Sequence, residues 1–133
     1  MDYNDSIVSL ICWAQDYGYD VQIDRYGDDS IDEESRIISI NSKNSIETQL
    51  YVLLHECGHL LIYKNGSSFG LKDVMSKYSE RTKIHRVFRV IEEAEAWKRG
   101  RSLANRLYID IDDEKWNRAV ARALGKYMDW ARN

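Results

Sequence analysis

A single helical pattern in the middle of the chain restricts the fold more than any other feature. It covers residues 45–64 and ends at Asn65-Gly66, a pair typical of helix C-termini. Asn44 or Ser45 is suited to be its N-cap. Leucines lie around much of the helix circumference, at Leu50, Leu53, Leu54, Leu60 and Leu61. We therefore expect this helix to be buried inside the domain.

The same helix carries the motif His55-Glu56-Cys57-Gly58-His59. Histidines four residues apart lie on one face of a helix, one turn apart, and can bind one Zn²⁺ from the same side. Burying them together with Glu56 is costly unless something charged meets them. Gly58 would let a neighbouring element pack closely beside the metal. The motif therefore predicts a zinc site.

Cys57 lies inside the motif, two residues from each histidine and thus about 200° around the helix. It should point away from the metal, and we interpret it as a small buried apolar residue. The other cysteine is Cys12. Two cysteines do not make a disulfide framework and are typical of a reducing compartment.

A catalytic zinc of this type needs a third protein ligand and an open position for water. No histidine follows His59 within a dozen residues, so a glutamate on a later helix is the other common solution. We assign the buried side of that helix to its apolar residues, Val87, Val90, Ile91, Ala94 and Trp97. Glu92 then points nearly away from the buried side, Glu95 lies on its far flank, and Glu93 borders it. Glu93 is the predicted ligand, and Glu92 is the alternative.

His85 is the remaining histidine and lies two turns before Glu93 on the same predicted helix. It could be a rival third ligand, or it could donate a hydrogen bond to an oxyanion. A lone surface histidine is the simplest interpretation. The sequence leaves Glu92, Glu93 and His85 open as the residue that completes the site.

The chemistry expected of this set is hydrolysis. Zn²⁺ held by His55, His59 and Glu93 lowers the pKa of its water towards about 7. Glu56 would take the proton as the water attacks a peptide carbonyl, and would pass it to the leaving amine.

The order of the motifs resembles that of gluzincin-type zinc metallopeptidases, and among them the small ImmA/IrrE-like proteins of bacteria, prophages and phages. The resemblance rests on His-Glu-x-Gly-His and, some thirty residues later, on Glu93-Ala94-Glu95-Ala96-Trp97. The ligand helix of that family typically reads Glu-Ala-Asn-x-Phe-Ala. The glutamate, the first alanine and the aromatic residue agree, whereas the asparagine and the final alanine do not. The resemblance covers roughly residues 35–131.

The resemblance implies an α+β, zincin-like single domain over residues 1–133, with a small sheet, the metal helix and further C-terminal helices. It implies a zinc metallopeptidase that acts on protein or peptide substrates. It also implies that the strand before the metal helix, Arg36–Ile40, is an edge strand that pairs with extended substrate. For prophage members it implies a regulator that acts on a DNA-bound repressor. The alternative is a zinc-binding module with weak or no catalysis that serves as a protein-interaction or regulatory domain.

Local patterns predict the remaining elements. Asp112 or Asp113 should cap the last helix, and Tyr26–Glu34 should be an exposed hairpin or loop. The other expected elements are helices over residues 4–17, 83–107 and 113–131, a strand at 21–23, a loop at 65–70 and a short helix over 71–78.

Charge and hydropathy exclude several classes of partner. The net charge of −3 is too small to indicate a nucleic-acid or membrane partner. The basic residues between Arg81 and Arg106 alternate with glutamates, as on a solvated helix with salt bridges, so nucleic-acid binding is not expected. The apolar run Ile7–Ala14 is too short to span a bilayer and lacks signal-peptide flanks. We expect a cytoplasmic protein.

Overall fold

The computed structural model describes residues 2–64 and 76–133. These ranges form a small α+β domain of four helices and one three-stranded sheet, which confirms the predicted class. The helices are α1 (Tyr3–Asp16), α2 (Ile46–Lys64), α3 (Lys83–Arg106) and α4 (Asp113–Arg132). The strands are β1 (Asp20–Asp24), β2 (Ser30–Asp32) and β3 (Ile37–Asn41). The loop predicted at 65–70 and most of the helix predicted at 71–78 lie outside the described residues.

The sheet has the order β1-β3-β2, with β1 parallel and β2 antiparallel to β3. In β3, Ile38 and Ile40 are buried and their neighbours are half-buried, as expected for a strand with one face on the core. β3 is therefore the central strand, and the expectation that it is an edge strand is wrong. The reason is β2, a three-residue strand within the segment predicted as a hairpin or loop, which occupies the outer side of β3.

Polar side chains cap the N-termini of two helices in this proline-free chain. The hydroxyl of Ser45 accepts a hydrogen bond from the Thr48 amide at 3.2 Å, ahead of α2. The carboxylate of Asp112 accepts one from the Lys115 amide at 3.1 Å, ahead of α4. Both residues were predicted caps, and each satisfies an amide that has no partner inside its helix.

The α2 helix lies at the centre of the domain, in contact with α1, β2, β3 and α3. Its leucines Leu50, Leu53 and Leu54 are fully buried, which confirms the prediction of a buried helix. Cys57 is also fully buried, as predicted, and burial raises the pKa of its thiol. The motif helix thus lies buried between the sheet and the C-terminal half.

The α4 helix packs on α3 and is anchored by Trp116. Its ring lies 5.1 Å from that of Trp97 in α3 and 5.4 Å from that of Tyr51 in α2. Trp116 is the one buried residue of α4, and the apolar residues Ala119, Val120, Ala123 and Leu124 that pack against the core are half-buried. Within the described ranges, no helix combines the length and the hydropathy needed to cross a membrane.

Candidate metal centre

Three predicted residues converge where α2 meets α3. The Nε2 atom of His55 lies 2.9 Å from Glu93 Oε2, and that of His59 lies 3.2 Å from the same oxygen. One ligand atom from each of these residues lies within 4.8 Å of the other two. The structure therefore brings together the three residues that the sequence singled out as metal ligands.

Two glycines allow Glu93 to reach the histidines. A Cβ atom on Gly58 of α2 would lie 1.9 Å from the carbonyl oxygen of Ala96 in α3. A Cβ on Gly100 of α3 would lie 2.5 Å from the carbonyl oxygen of Leu54 in α2. The two helix backbones are thus in direct contact, as expected from Gly58, and Glu93 lies one turn from that contact.

The distances from Glu93 to the two histidines suit a small metal ion such as zinc, and the ligand atoms of the two histidines lie within 4.8 Å of each other. Donors bound tetrahedrally at about 2.0–2.1 Å from the ion are about 3.4 Å apart, close to the spacings of 2.9 and 3.2 Å found here. The imidazole of His55 also stacks on the indole of Trp97, with 4.3 Å between the rings and 12° between their planes. This stacking restricts the rotation of the ring and keeps its Nε2 directed at Glu93.

Glu56 lies beside the ligands without being one of them. Its side chain is buried, and its Oε1 is 3.6 Å from His55 Nδ1. Burial raises the pKa of Glu56 to about 7, above the ordinary value for a carboxyl group. A carboxyl group with such a pKa can both accept and release a proton near neutral pH.

Glu92 was expected on the exposed side of α3, and this expectation is wrong. It is only 6% exposed, and its Oε1 is 3.5 Å from His59 Nδ1. That distance is too long for a good hydrogen bond but short enough for the charges to interact. Glu92 therefore borders the opposite side of the His59 ring from Glu93.

The orientation of α3 explains this error. Two of the apolar residues assigned to its buried side are in fact well exposed, Val87 at 51% and Ile91 at 45%. The buried side is centred on Glu93, Ala96 and Gly100. The glycine contacts with α2 set this orientation, and they outweigh the burial of two aliphatic side chains. Glu93 lies beside the motif histidines, and Trp97 is buried as predicted, although Val87 and Ile91 of the predicted face are exposed.

His85 was expected on the surface, but it is buried, and its Nδ1 has no hydrogen-bond partner among the described residues. It does not belong to the cluster formed by His55, His59 and Glu93. Neither a surface position nor a role as ligand is supported for His85.

The cluster lines a cleft with a volume of about 280 Å³. One wall carries Ser30 and Ile31 of the edge strand β2, and another carries Ala123 and Tyr127 of α4. Arg89, one turn before Glu93, lies on the same wall as the ligand. Sequence reasoning placed Arg89 among the basic residues of a solvated helix and did not assign Tyr127 to the site. The four-residue spacing from Glu93 could have indicated Arg89, whereas Tyr127 is brought in only by the packing of α4.

No family model, curated protein or solved structure matches this chain. The interpretation of the cluster therefore depends on its own geometry and chemistry. Within the described residues it is the one group of three histidine, cysteine or acidic side chains arranged to hold a metal ion.

Proton competition should make zinc binding depend on pH. Burial disfavours the charged imidazole of His59, but the nearby Glu92 and Glu93 carboxylates outweigh burial and raise its pKa to about 9. Zinc requires a neutral ring, so binding must displace this proton at any pH below about 9. We expect the zinc dissociation constant to rise about tenfold for each unit that the pH falls from 8.5 to 7, and to level off above about pH 9.

Competition with a chromophoric chelator, corrected for the protonation of the chelator itself, measures this dependence. The Glu92→Gln variant is the matched comparison. It removes one of the two charges that raise the pKa of His59, so its plateau should begin at a lower pH. A wild-type affinity that stays constant from pH 7 to 8.5 would contradict the prediction.

Proposed function

We propose that this chain is a zinc-dependent metallopeptidase with a zincin-like fold, of the gluzincin type that its motifs resemble. The observation that carries the proposal is the convergence of His55, His59 and Glu93 beside the buried Glu56, in a cleft open to solvent. Two imidazoles and one carboxylate are a ligand set of catalytic zinc sites.

The number of ligands favours catalysis over a structural role. Structural zinc sites are closed by four protein ligands, whereas catalytic sites keep a position for water or substrate. In the part of the chain that the structure describes, three donors converge, and the cluster lines the cleft. A buried Glu56 also has no role in a purely structural site, whereas a hydrolase needs a base at this position.

The residues of the chain then have separate tasks. Bound Zn²⁺ would supply a water of lowered pKa and would polarise the carbonyl of the substrate. Glu56 accepts the proton of the attacking water and delivers it to the nitrogen of the leaving amine. Since Ser30 and Ile31 line the cleft and β2 is an edge strand, an extended peptide would pair with β2. This assigns to β2 the task that the resemblance implied for the strand before the metal helix.

Alanine substitutions at two neighbouring glutamates, one a predicted ligand and one not, test the proposal. Glu93→Ala removes a ligand, and Glu95→Ala removes a carboxylate of the same helix that pairs instead with Arg99 at 3.0 Å. Glu93→Ala should weaken zinc binding by more than the roughly 10- to 100-fold that loss of an outer hydrogen bond to a ligand costs. It should also abolish peptide cleavage, while Glu95→Ala keeps both properties.

Zinc content after dialysis against a zinc buffer, and cleavage of casein or a quenched peptide library, measure the two properties. A chelator should stop cleavage by the wild type, and added zinc should restore it. An unchanged zinc content in Glu93→Ala would refute the assignment of this ligand. Stoichiometric zinc in a wild type that cleaves no peptide would favour a non-catalytic zinc module instead.

A further inference from the structure

Arg89 is the one arginine or lysine that lines the cleft as the described residues form it. It lies one turn before Glu93 on α3, and its side chain is 38% exposed. The acidic groups that line the same cleft are Asp29, Glu56 and Glu93. A guanidinium at this position can be reached by whatever binds in the cleft.

Arg89 forms two long ion pairs, with Glu93 and Glu92, but no described residue accepts a hydrogen bond from it. The nearest carboxylate oxygens are those of Glu93, 3.9 Å from Nε, and Glu92, 4.0 Å from Nη1. Both distances exceed the roughly 2.7–3.2 Å of an N–H···O hydrogen bond. By comparison, Arg101 of the same helix donates to Asp113 at 2.9 Å, and Arg86 donates to the carbonyl oxygen of Trp130 at 3.3 Å.

The two glutamates near Arg89 are directed elsewhere. Glu93 contacts the Nε2 atoms of both motif histidines, and Glu92 faces the other nitrogen of His59. Neither carboxylate forms the two-bond pair for which a guanidinium is shaped. The planar fork of Arg89 therefore remains available for a carboxylate that enters from the cleft.

We infer that Arg89 binds a carboxylate of the substrate next to the scissile bond, an inference that rests on the proposed peptidase function. The position follows from distance: Nε of Arg89 is 3.9 Å from Glu93 Oε1. Consecutive Cα atoms are about 3.8 Å apart, so a group bound this close to a metal ligand belongs to a residue at or near the bond to be cleaved.

A peptide can supply this carboxylate from two places. If the carboxylate is the free C-terminus, the protein removes the last residue of its substrate. If it is an aspartate or glutamate side chain, the protein cuts inside the chain next to an acidic residue. Both cases require the same guanidinium, so one set of probes tests the inference and distinguishes them.

The probes are three mixtures of random hexapeptides. The first has free C-termini and no acidic residues, the second has amidated C-termini and includes aspartate and glutamate, and the third has amidated C-termini and no carboxylates at all. Ultrafiltration followed by mass spectrometry measures retention by the zinc-supplemented Glu56→Gln protein. Mass spectrometry also measures cleavage by the protein with Glu56 intact. Each measurement is repeated with Arg89→Gln, Arg89→Lys and, as the matched control, Arg118→Gln, whose side chain is 65% exposed on α4.

We expect the first or the second mixture to be retained roughly 10- to 100-fold better than the third, as for hydrogen bonds to a charged group. Arg89→Gln should remove this preference, Arg89→Lys should keep only part of it, and Arg118→Gln should keep all of it. Preference for the first mixture identifies a C-terminal carboxylate, and preference for the second identifies an acidic side chain.

Equal retention of the three mixtures, or a preference that persists in Arg89→Gln, would overturn the inference. If Arg89→Gln does not fold, Arg89→Lys decides, because it keeps the charge and loses the fork; a preference equal to that of the wild type then contradicts the inference. Selective retention without any cleavage would leave the role of Arg89 intact and would refute the proposed peptidase function.

Discussion

Replacing Glu56 by glutamine should leave zinc bound and lower kcat for peptide cleavage by about 10²- to 10⁴-fold, the range that general acid–base groups contribute. The amide has the same shape as the carboxylate but cannot accept the proton of the attacking water. Glu56 lies outside the group of converging donors, so its replacement should not remove a ligand. Steady-state cleavage and zinc content, measured on the same preparation, separate the two properties.

Glu47→Gln is the matched control for this experiment. Glu47 lies in the first turn of the same helix and pairs with Lys115 at 3.4 Å, away from the cleft. It should keep both zinc and turnover. Undiminished cleavage by Glu56→Gln would exclude Glu56 as the base. Loss of zinc from Glu56→Gln would show instead that the residue supports the geometry of the site.

The part of the site on α2 could be predicted because it depends on local spacing. His55 and His59 are four residues apart on one helix, and no tertiary contact is needed to place them on one face. The position of Glu93 depends on how two helices pack, which the apolar pattern of α3 did not reveal. Val87 and Ile91 suggested a buried face on the side that proved to be exposed.

The signal for the correct face was present in small residues. Gly100 and Ala104 follow Glu93 at helical spacing and are buried together with it. A contact between helix backbones excludes large side chains, so the closest interface of α3 is marked by small residues. Strand β2 could be predicted only as part of a hairpin, with a loop as the alternative, and for a different reason. It has three residues in an acidic loop, and pairing with β3 rather than local propensity stabilises it.

The second large effect should follow from adding one methyl group to the contact between α2 and α3. In Gly58→Ala the new Cβ would lie 1.9 Å from the carbonyl oxygen of Ala96 and 2.7 Å from its carbonyl carbon. Both atoms belong to the backbone, so no side chain can rotate away and the helices must separate. We expect a loss of about 3–5 kcal/mol in the free energy of unfolding, at or above the upper end for overpacked cores. Zinc affinity should also fall, because the separation moves Glu93 away from the histidines.

The same substitution at Gly125 of α4 should have the opposite effect on the free energy of unfolding. Nothing lies within 4 Å of a Cβ added there, so Gly125→Ala should stabilise the helix by about 0.5–1 kcal/mol. Chemical unfolding of both variants in the presence of a chelator compares them without the contribution of bound metal. If Gly58→Ala behaved like Gly125→Ala, the backbones of α2 and α3 could not be in contact. The contact that brings Glu93 to His55 and His59 would then be absent. The stability of a glycine variant therefore tests the same geometry on which the metal site depends, by a measurement that requires neither zinc nor a substrate.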